Sequence, residues 1–176
     1  MSLDDAVLIA RVVDHKDARA FEQLVLKYQS QARVWARRLS RGDWAAAEDI
    51  AQEAFIKVHA ALPGFRKDAK FSVWLYRILF NVAISRQRQL GQQWLSLAEL
   101  DEPVGRCEQG AAACKGDLAW AMAQLSDPQR VAVQLCFEEG FTQEEASRVM
   151  AIPLGTLKSH INRGKAKLQS LLVAWS

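Results

Sequence analysis

The sequence predicts an all-α protein of two small helical domains joined by a flexible linker, and three observations carry that prediction. Apolar residues recur at three- and four-residue steps from Leu8 to Val82 and again from Leu118 onward, the signature of amphipathic helices. Between these stretches, residues 91–116 lose the periodicity and collect Gly91, Pro103, Gly105, Gly110 and Gly116, a linker composition. Towards the C-terminus a short capped segment, a tight turn and a longer basic segment follow one another, which is the plan of a helix-turn-helix. The domain limits are set at residues 1–92 and 117–176, with 93–116 as linker.

Asp4 to Val13 reads as a short helix, with Leu8, Ile9, Val12 and Val13 apolar and an acidic start that suits the positive end of a helix dipole. His15-Lys16-Asp17 breaks it. A long helix from Ala20 to Leu39 aligns Phe21, Leu24, Val25, Tyr28, Ala32, Trp35 and Leu39. The arginines at its far end, Arg33, Arg37, Arg38 and then Arg41, are read as dipole complement and solvated charge rather than as DNA contacts. Arg41-Gly42-Asp43 turns the chain into a third helix with a buried stripe of Ala47, Ile50, Ala51, Ala54, Val58 and Leu62. Asp49, Gln52, Glu53 and Ile56 fall at i, i+3, i+4 and i+7 on a second stripe. This stripe is acidic and amide-rich with one apolar end, able to dock on a basic partner while burying something apolar. On spacing alone an ordinary solvated face is the simpler reading.

Pro63 and Gly64 stop that helix, and Phe65 to Lys70 forms a short basic loop with an aromatic at its root. Ser72 is expected to cap a fourth helix running to about Leu90, with Leu75, Ile78, Leu79 and Val82 as its core stripe. A separate stripe of Trp74, Arg77, Asn81 and Arg88, flanked by Tyr76 and Phe80, combines cations, amides and aromatics. Single-stranded nucleic acid calls for that mixture, since phosphates pair with guanidinium groups while unstacked bases find aromatic faces and amide edges. Trp74 and Phe80 read equally well as core.

Leu118 to Leu125 opens the second helical unit. Ser126 and Gln129 have capping-box spacing at the start of a helix expected to reach about Glu139, with Gly140 ending it. Thr142 and Glu145 repeat the pattern for a short helix to Met150, Ala151 and Ile152 make the turn, and Pro153 sets the entry of a last helix to about Leu172. Leu154, Leu157, Ile161, Gly164, Leu168 and Leu171 form its packing stripe, where close helix approach offsets the ~1 kcal/mol that glycine costs against alanine. Opposite lie Gly155, Lys158, Ser159, Asn162 and Arg163. From Leu154 onward there are four basic residues and no acidic one. Such a helix in a major groove would read base edges with Lys158, Ser159, Asn162 and Arg163 and meet phosphates with Lys165 and Lys167.

Composition narrows the function classes. Residues 1–90 hold 15 Lys+Arg against 10 Asp+Glu and residues 120–176 hold 6 against 5, whereas residues 91–119 hold 2 against 5, so the two ends are the nucleic-acid candidates. Cys107, Cys114 and Cys136 are odd in number and lack paired metal spacing, which points to free thiols and no zinc site. The acidic Met1-Ser2-Leu3-Asp4-Asp5 start is unlike a signal peptide, and no run is long enough to cross a bilayer, so a cytoplasmic protein is expected. His15, His59 and His160 fall on separate elements and no phosphate-binding glycine loop is present, so no enzyme and no cofactor are expected.

The order Asp49-x-x-Gln52-Glu53-x-Phe55, then Phe65-Arg66, then Phe71-x-x-Trp74-Leu75-Tyr76-Arg77-Ile78-x-x-Asn81 resembles the second conserved domain of bacterial sigma factors of the extracytoplasmic-function class. Ile152-Pro153-Leu154-Gly155-Thr156-Leu157-Lys158-Ser159 with Arg163 resembles the fourth conserved domain of the same class. The resemblance implies that Asp49, Gln52, Glu53, Phe55 and Ile56 meet the clamp helices of the largest RNA polymerase subunit. It further implies that Phe65, Arg66, Lys67, Trp74, Arg77, Asn81 and Arg88 engage the promoter −10 element, with Phe65 and Asn81 holding a flipped-out base. Thr156, Lys158, Ser159, Asn162, Arg163, Lys165 and Lys167 would engage the −35 element. RNA polymerase core, promoter DNA and an anti-sigma factor, often membrane-bound, are the implied partners, without a stable homo-oligomer. Departures from the family pattern are His59 where an aromatic is frequent, Ala151 in place of a turn glycine, and His160, Gly164 and Lys165 where Arg, Ala and Arg are common. Two rival readings are a conventional helix-turn-helix regulator that binds DNA without polymerase and a sigma mimic that titrates an anti-sigma protein; Arg77, Asn81 and Arg163 speak against the mimic.

Overall fold

The computed structural model describes residues 4–66, 69–90 and 118–173. The chain separates into two compact units, Met1–Gln92 and Gln93–Ser176, each considered by itself. The described elements are all helical. Trp94, Leu95, Leu97, Leu100, Cys107 and Cys114, with the linker reading, lie outside the described residues.

In the first unit α1 spans Asp5–His15, α2 Ala18–Leu39, α3 Trp44–Ala61 and α4 Phe71–Gln89, with a 3₁₀ turn at Leu62–Gly64 after α3. An aspartate caps each of the first three. Asp4 accepts from the Ala6 N–H, Asp17 from those of Arg19 and Ala20, and Asp43 from that of Ala46, contacts worth ~1 kcal/mol apiece. Asp17 explains why α2 begins two residues before its apolar stripe. Its second carboxylate oxygen pairs with Arg11 at 2.6 Å, closing the turn between α1 and α2. Gly42, at φ 91°, makes the tight turn into α3, where the Ser40 hydroxyl donates to the Asp43 carbonyl at 2.9 Å.

α2 is the central member and packs on α1, α3 and α4. Its buried residues Ala20, Leu24, Tyr28, Ala32, Trp35, Ala36 and Leu39 follow the helical step. Alanines at 20, 32 and 36 let the neighbouring helices approach, while Trp35 meets Tyr76 of α4 edge-on with ring centroids 4.8 Å apart. Asp5 holds α1 down by accepting from Lys27 at 2.6 Å and from the Tyr28 hydroxyl at 2.5 Å. Burial, followed by the hydrogen bond and charge of Asp5, pushes the Tyr28 phenol well above its ordinary range. His59 packs its ring edge-on against Phe21 at 4.7 Å, so it fills an aromatic position as an aromatic.

Two expectations for α4 need correction. Its N-cap is Lys70, with no side-chain capping bond, and Ser72 lies inside the first turn. The helix starts at Phe71 because that ring is buried against Tyr28, Phe65 and Trp74, an anchor that outweighs a serine cap. Tyr76, read as flanking the nucleic-acid stripe, is 1% exposed and faces the core, and Phe80, which read equally well either way, joins it there at 2%.

The second unit contains α5 Leu118–Ala123, α6 Asp127–Val133, α7 Gln143–Met150 and α8 Leu154–Val173. Met122, Leu125 and Val133 form a buried cluster on which Leu168 packs. At the start of α6 the Gln129 side chain accepts from the Ser126 N–H at 3.4 Å, and Arg130 pairs with Asp127. The helix expected to reach Glu139 ends at Val133 and continues as a π turn over Gln134–Glu138. The widened turn keeps Leu135 fully buried and leaves Phe137 exposed. In α7 the capping box is complete, with Thr142 N–H donating to Glu145 at 2.8 Å and Glu145 N–H donating to the Thr142 hydroxyl at 3.1 Å.

Two positions govern how α8 is seated. Ala151 takes a left-handed conformation at φ 54° and ψ 40°, with its N–H bonded to the Ser147 carbonyl. A Cβ there costs ~1–2 kcal/mol. Gly164 is buried beneath α6, where an added Cβ would stand 2.9 Å from a Val133 methyl and 3.6 Å from Gln129 Cβ. Accordingly Ala151→Gly should stabilise this unit by about 1 kcal/mol and Gly164→Ala should destabilise it by about 1–3 kcal/mol. Urea denaturation followed by circular dichroism reads both, and a stabilising Gly164→Ala would contradict the packing described.

Candidate functional site

The outward side of α3 follows from its buried one. With Ala47, Ile50, Ala51, Ala54 and Val58 turned inward, a step of ~100° per residue puts Gln52 and Ile56 opposite the core. Both are exposed, Ile56 at 71%. The same step turns Glu48 and the half-buried Phe55 towards α2, and Asp49 and Glu53 towards α4. Each acidic edge is tied to the neighbouring helix. On the α2 edge Arg33 meets Glu48 at 3.2 Å. On the α4 edge Arg86 donates from Nη1 to Asp49 at 2.9 Å and from Nε to Glu53 at 3.0 Å, while Lys57 reaches the other Glu53 oxygen at 2.9 Å.

Arg86 had not been singled out in the sequence. Its partners lie 33 and 37 residues away, beyond the reach of any local pattern. The Glu53–Lys57 pair was not singled out either, although its favourable i, i+4 order is a local signal that could have found it. Asp49 and Glu53 therefore come together as predicted, but with their charge largely answered within the protein. Lys57, then Arg86, hold the Glu53 carboxyl below its usual range. Asp49, then Glu53, raise the Arg86 guanidinium further.

α4 carries a different surface. Trp74, Arg77, Asn81 and Arg88 fall within a ~60° arc by the helical step, and Arg86 points almost oppositely. Arg77, Asn81 and Arg88 are exposed. Trp74 is half-buried, with its ring 5.0 Å from Phe65 and 5.7 Å from Phe71. That aromatic cluster sets the root of the basic loop at the start of the α4 stripe. Arg66 is exposed; Lys67 lies outside the described residues.

On α8, Leu157, Ile161 and Gly164 are buried and Leu154, Leu168 and Leu171 half-buried, which fixes the opposite face. Gly155, Ser159 and Asn162 run down its middle. Lys158 and Lys165 lie on one flank, with Thr156, Arg163 and Lys167 on the other. Lys158, Asn162, Arg163, Lys165 and Lys167 are exposed, whereas Thr156 and Ser159 are half-buried. Small polar side chains between two cationic borders suit a groove floor between two phosphate walls. Lys165 also leans over the Phe137 ring at 5.4 Å. Cys136, the one cysteine among the described residues, is half-buried, and burial, then Glu144, push its thiol up, away from the reactive thiolate. Also among the described residues, no group of His, Cys, Asp or Glu could hold a metal ion, and no helix is long and apolar enough to cross a membrane.

The Glu53 pairing has a definite pH sign. A depressed folded-state pKa contributes stability above the ordinary carboxylate range, and that contribution is lost as pH falls through the depressed value. Arg86→Gln should move the Glu53 titration partway back up, since Lys57 remains, and should change stability by less than about 1 kcal/mol for so exposed a pair. Carbon-detected NMR titration of the glutamate side chains measures the first and thermal melting the second. An unmoved Glu53 midpoint would show that Arg86 does not hold it.

Comparison with known proteins identifies the family. Residues 24–93 match the family model for sigma-70 region 2, and residues 116–168 match that for sigma-70 region 4. The RNA polymerase sigma-H factor of Pseudomonas aeruginosa is 35% identical, over 96% of this chain and 93% of its own. The ECF RNA polymerase sigma-E factor of Escherichia coli K12 is 30% identical, over 96% of this chain and 94% of its own. Among solved structures, the sigma factor RpoE in complex with the anti-sigma factor NepR from Bartonella quintana aligns with a TM-score of 0.66 at 26% identity, covering 88% of this chain and 98% of that one. CnrH in complex with the cytosolic domain of CnrY aligns at 0.67 and 24% identity, covering 98% and 99%, a likeness of fold. With both regions matched in order and relatives aligned along nearly its whole length, the chain belongs to the sigma-70 family of RNA polymerase sigma factors, in its extracytoplasmic-function class.

Proposed function

We propose that this chain binds RNA polymerase core through α3, opens and holds the promoter −10 element with the loop after α3 and the α4 stripe, and grips the −35 duplex with α8. The observation that carries this reading is the open face of α3. Gln52 and Ile56 are uncovered between two salt-bridged edges, where a helix serving only the core would turn solvated charge outward. Asp49, Gln52, Glu53, Phe55 and Ile56 are the proposed polymerase contacts. Phe65, Trp74 and Asn81 trap unpaired bases, while Arg66, Lys67, Arg77 and Arg88 meet the backbone. Thr156, Lys158, Ser159, Asn162, Arg163, Lys165 and Lys167 hold the upstream duplex.

The mechanism involves no covalent step and no cofactor. Each contact set is weak alone, and polymerase, by fixing the spacing of residues 1–92 and 117–176, raises the effective concentration of the second contact once the first is made. Residues 93–116 serve as the tether. The same division provides an off state, because a protein that occupies both heads hides both faces. The Bartonella quintana relative, solved with an anti-sigma factor, supports an inhibitor of that kind for this chain. The working compartment is the cytoplasm, or the inner face of the membrane when such an inhibitor is membrane-bound.

Run-off transcription with purified core polymerase on a promoter library is the direct test. Initiation should concentrate on a discrete promoter set only when this chain is added, and random initiation with or without it would remove the proposal. Glu53→Ala should weaken core association about tenfold, within the cost usual for a hot-spot side chain, with −35 duplex binding retained. Arg163→Ala should cost about 1–3 kcal/mol of DNA binding with core association retained. Loss of DNA affinity alone in both variants would favour a conventional helix-turn-helix regulator.

A further inference from the structure

Trp44, the first residue of α3, is 68% exposed, and Ile56, twelve residues on, is 71% exposed. Together with Glu48 and Gln52 they form one i, i+4 row, and such rows are the ridges that pack into the grooves of a second helix. In most helices of a small domain a ridge with apolar ends is covered. Here the row winds from the α2 side, where Arg33 ties the half-buried Glu48, to the face opposite the core at Ile56, and its two apolar ends stay exposed about 18 Å apart along the helix. Surface tryptophans scattered singly need no explanation, but this one stands in line with a second exposed apolar side chain and has been prepared for contact. The Arg37 guanidinium lies over its ring at 4.1 Å. Glu48, next on the ridge, is fixed by Arg33 at 3.2 Å. Both arginines come from α2, so the ridge is braced from behind before any partner arrives, which lowers the ordering cost of binding.

We propose that Trp44 is a second apolar anchor of the polymerase-binding face, with the ridge Trp44–Glu48–Gln52–Ile56 seated in the groove of a helical segment of the polymerase core. This rests on the reading that α3 meets polymerase, and extends it by continuity: Gln52 and Ile56 belong to both the ridge and the proposed interface. Trp44 and Arg37 are residue types over-represented among interface hot spots. Arg37 is a positioning residue acting through the ring. Tryptophan at this place makes the docking surface longer than the acidic motif alone and selects a partner with an apolar site about three turns from the one that takes Ile56.

The test measures binding of the full chain to purified core polymerase by fluorescence anisotropy of a labelled chain, with melting temperature recorded for every variant. Trp44→Ala should weaken core affinity about tenfold or more with no loss of melting temperature, as expected for an exposed side chain. Trp44→Phe should restore part of the affinity, and Arg37→Ala should lie between wild type and Trp44→Ala. Leu26→Ala, which removes an exposed apolar side chain from α2 away from the ridge, should bind as wild type. Undiminished core affinity in Trp44→Ala, while Glu53→Ala loses affinity, overturns the anchor and leaves the α3 reading standing. Undiminished affinity in both variants overturns the α3 reading and the anchor with it. Equal losses in Trp44→Ala and Leu26→Ala, or a loss of DNA affinity alone in Trp44→Ala, also overturn it.

Discussion

The packing of Trp35 against Tyr76 is the constraint on which the first unit depends. Trp35 stands on the central helix α2, almost wholly buried, and its ring meets that of Tyr76 edge-on. Because Tyr76 and Phe80 are one helical turn apart, anchoring the first carries the second into the core and fixes the rotation of α4 about its axis. Arg77, Asn81 and Arg88 are then obliged to point outward, and Arg86 is obliged to point at α3. A rotation of α4 by one residue would bury a guanidinium and expose two aromatic rings. Aromatic packing thus determines where the polar chemistry is displayed.

What could be read from the residues, and what could not, divides by distance along the chain. The buried stripes of α2, α3 and α8, the Thr142–Glu145 capping box and the close approach at Gly164 are all within a few residues of their causes, and each was legible. The start of α4 was not, because Phe71 is held by Tyr28, a residue of another helix. Nor was the π turn after Val133, which trades regular hydrogen bonding for the burial of Leu135. Tyr76 was misplaced, and Phe80 left undecided, for a related reason. An aromatic beside an exposed arginine fits a nucleic-acid face and a core equally well, and only the neighbouring helix decides between them.

The α3 face shows the same limit with a chemical consequence. Its acidic residues and their spacing were visible, yet Arg86, the cation that joins them from another helix, was not, and the surface is closer to neutral than its motif suggests. Exposed pairs of this kind contribute little to stability. They do decide what can bind. A diffuse polycation finds Asp49 and Glu53 already engaged, whereas a partner that also satisfies Gln52 and Ile56 gains contacts that Arg86 and Lys57 do not compete for.

On α4 the side chains proposed to face promoter DNA and the one that braces the acidic pair are nearly diametrically opposed. Under that proposal, mutational drift along the outer arc would retune which promoters are served without loosening the grip on the shared enzyme. A lineage of duplicated genes built on this helix would be free to diverge in the genes it commands while every copy still competes for one pool of polymerase.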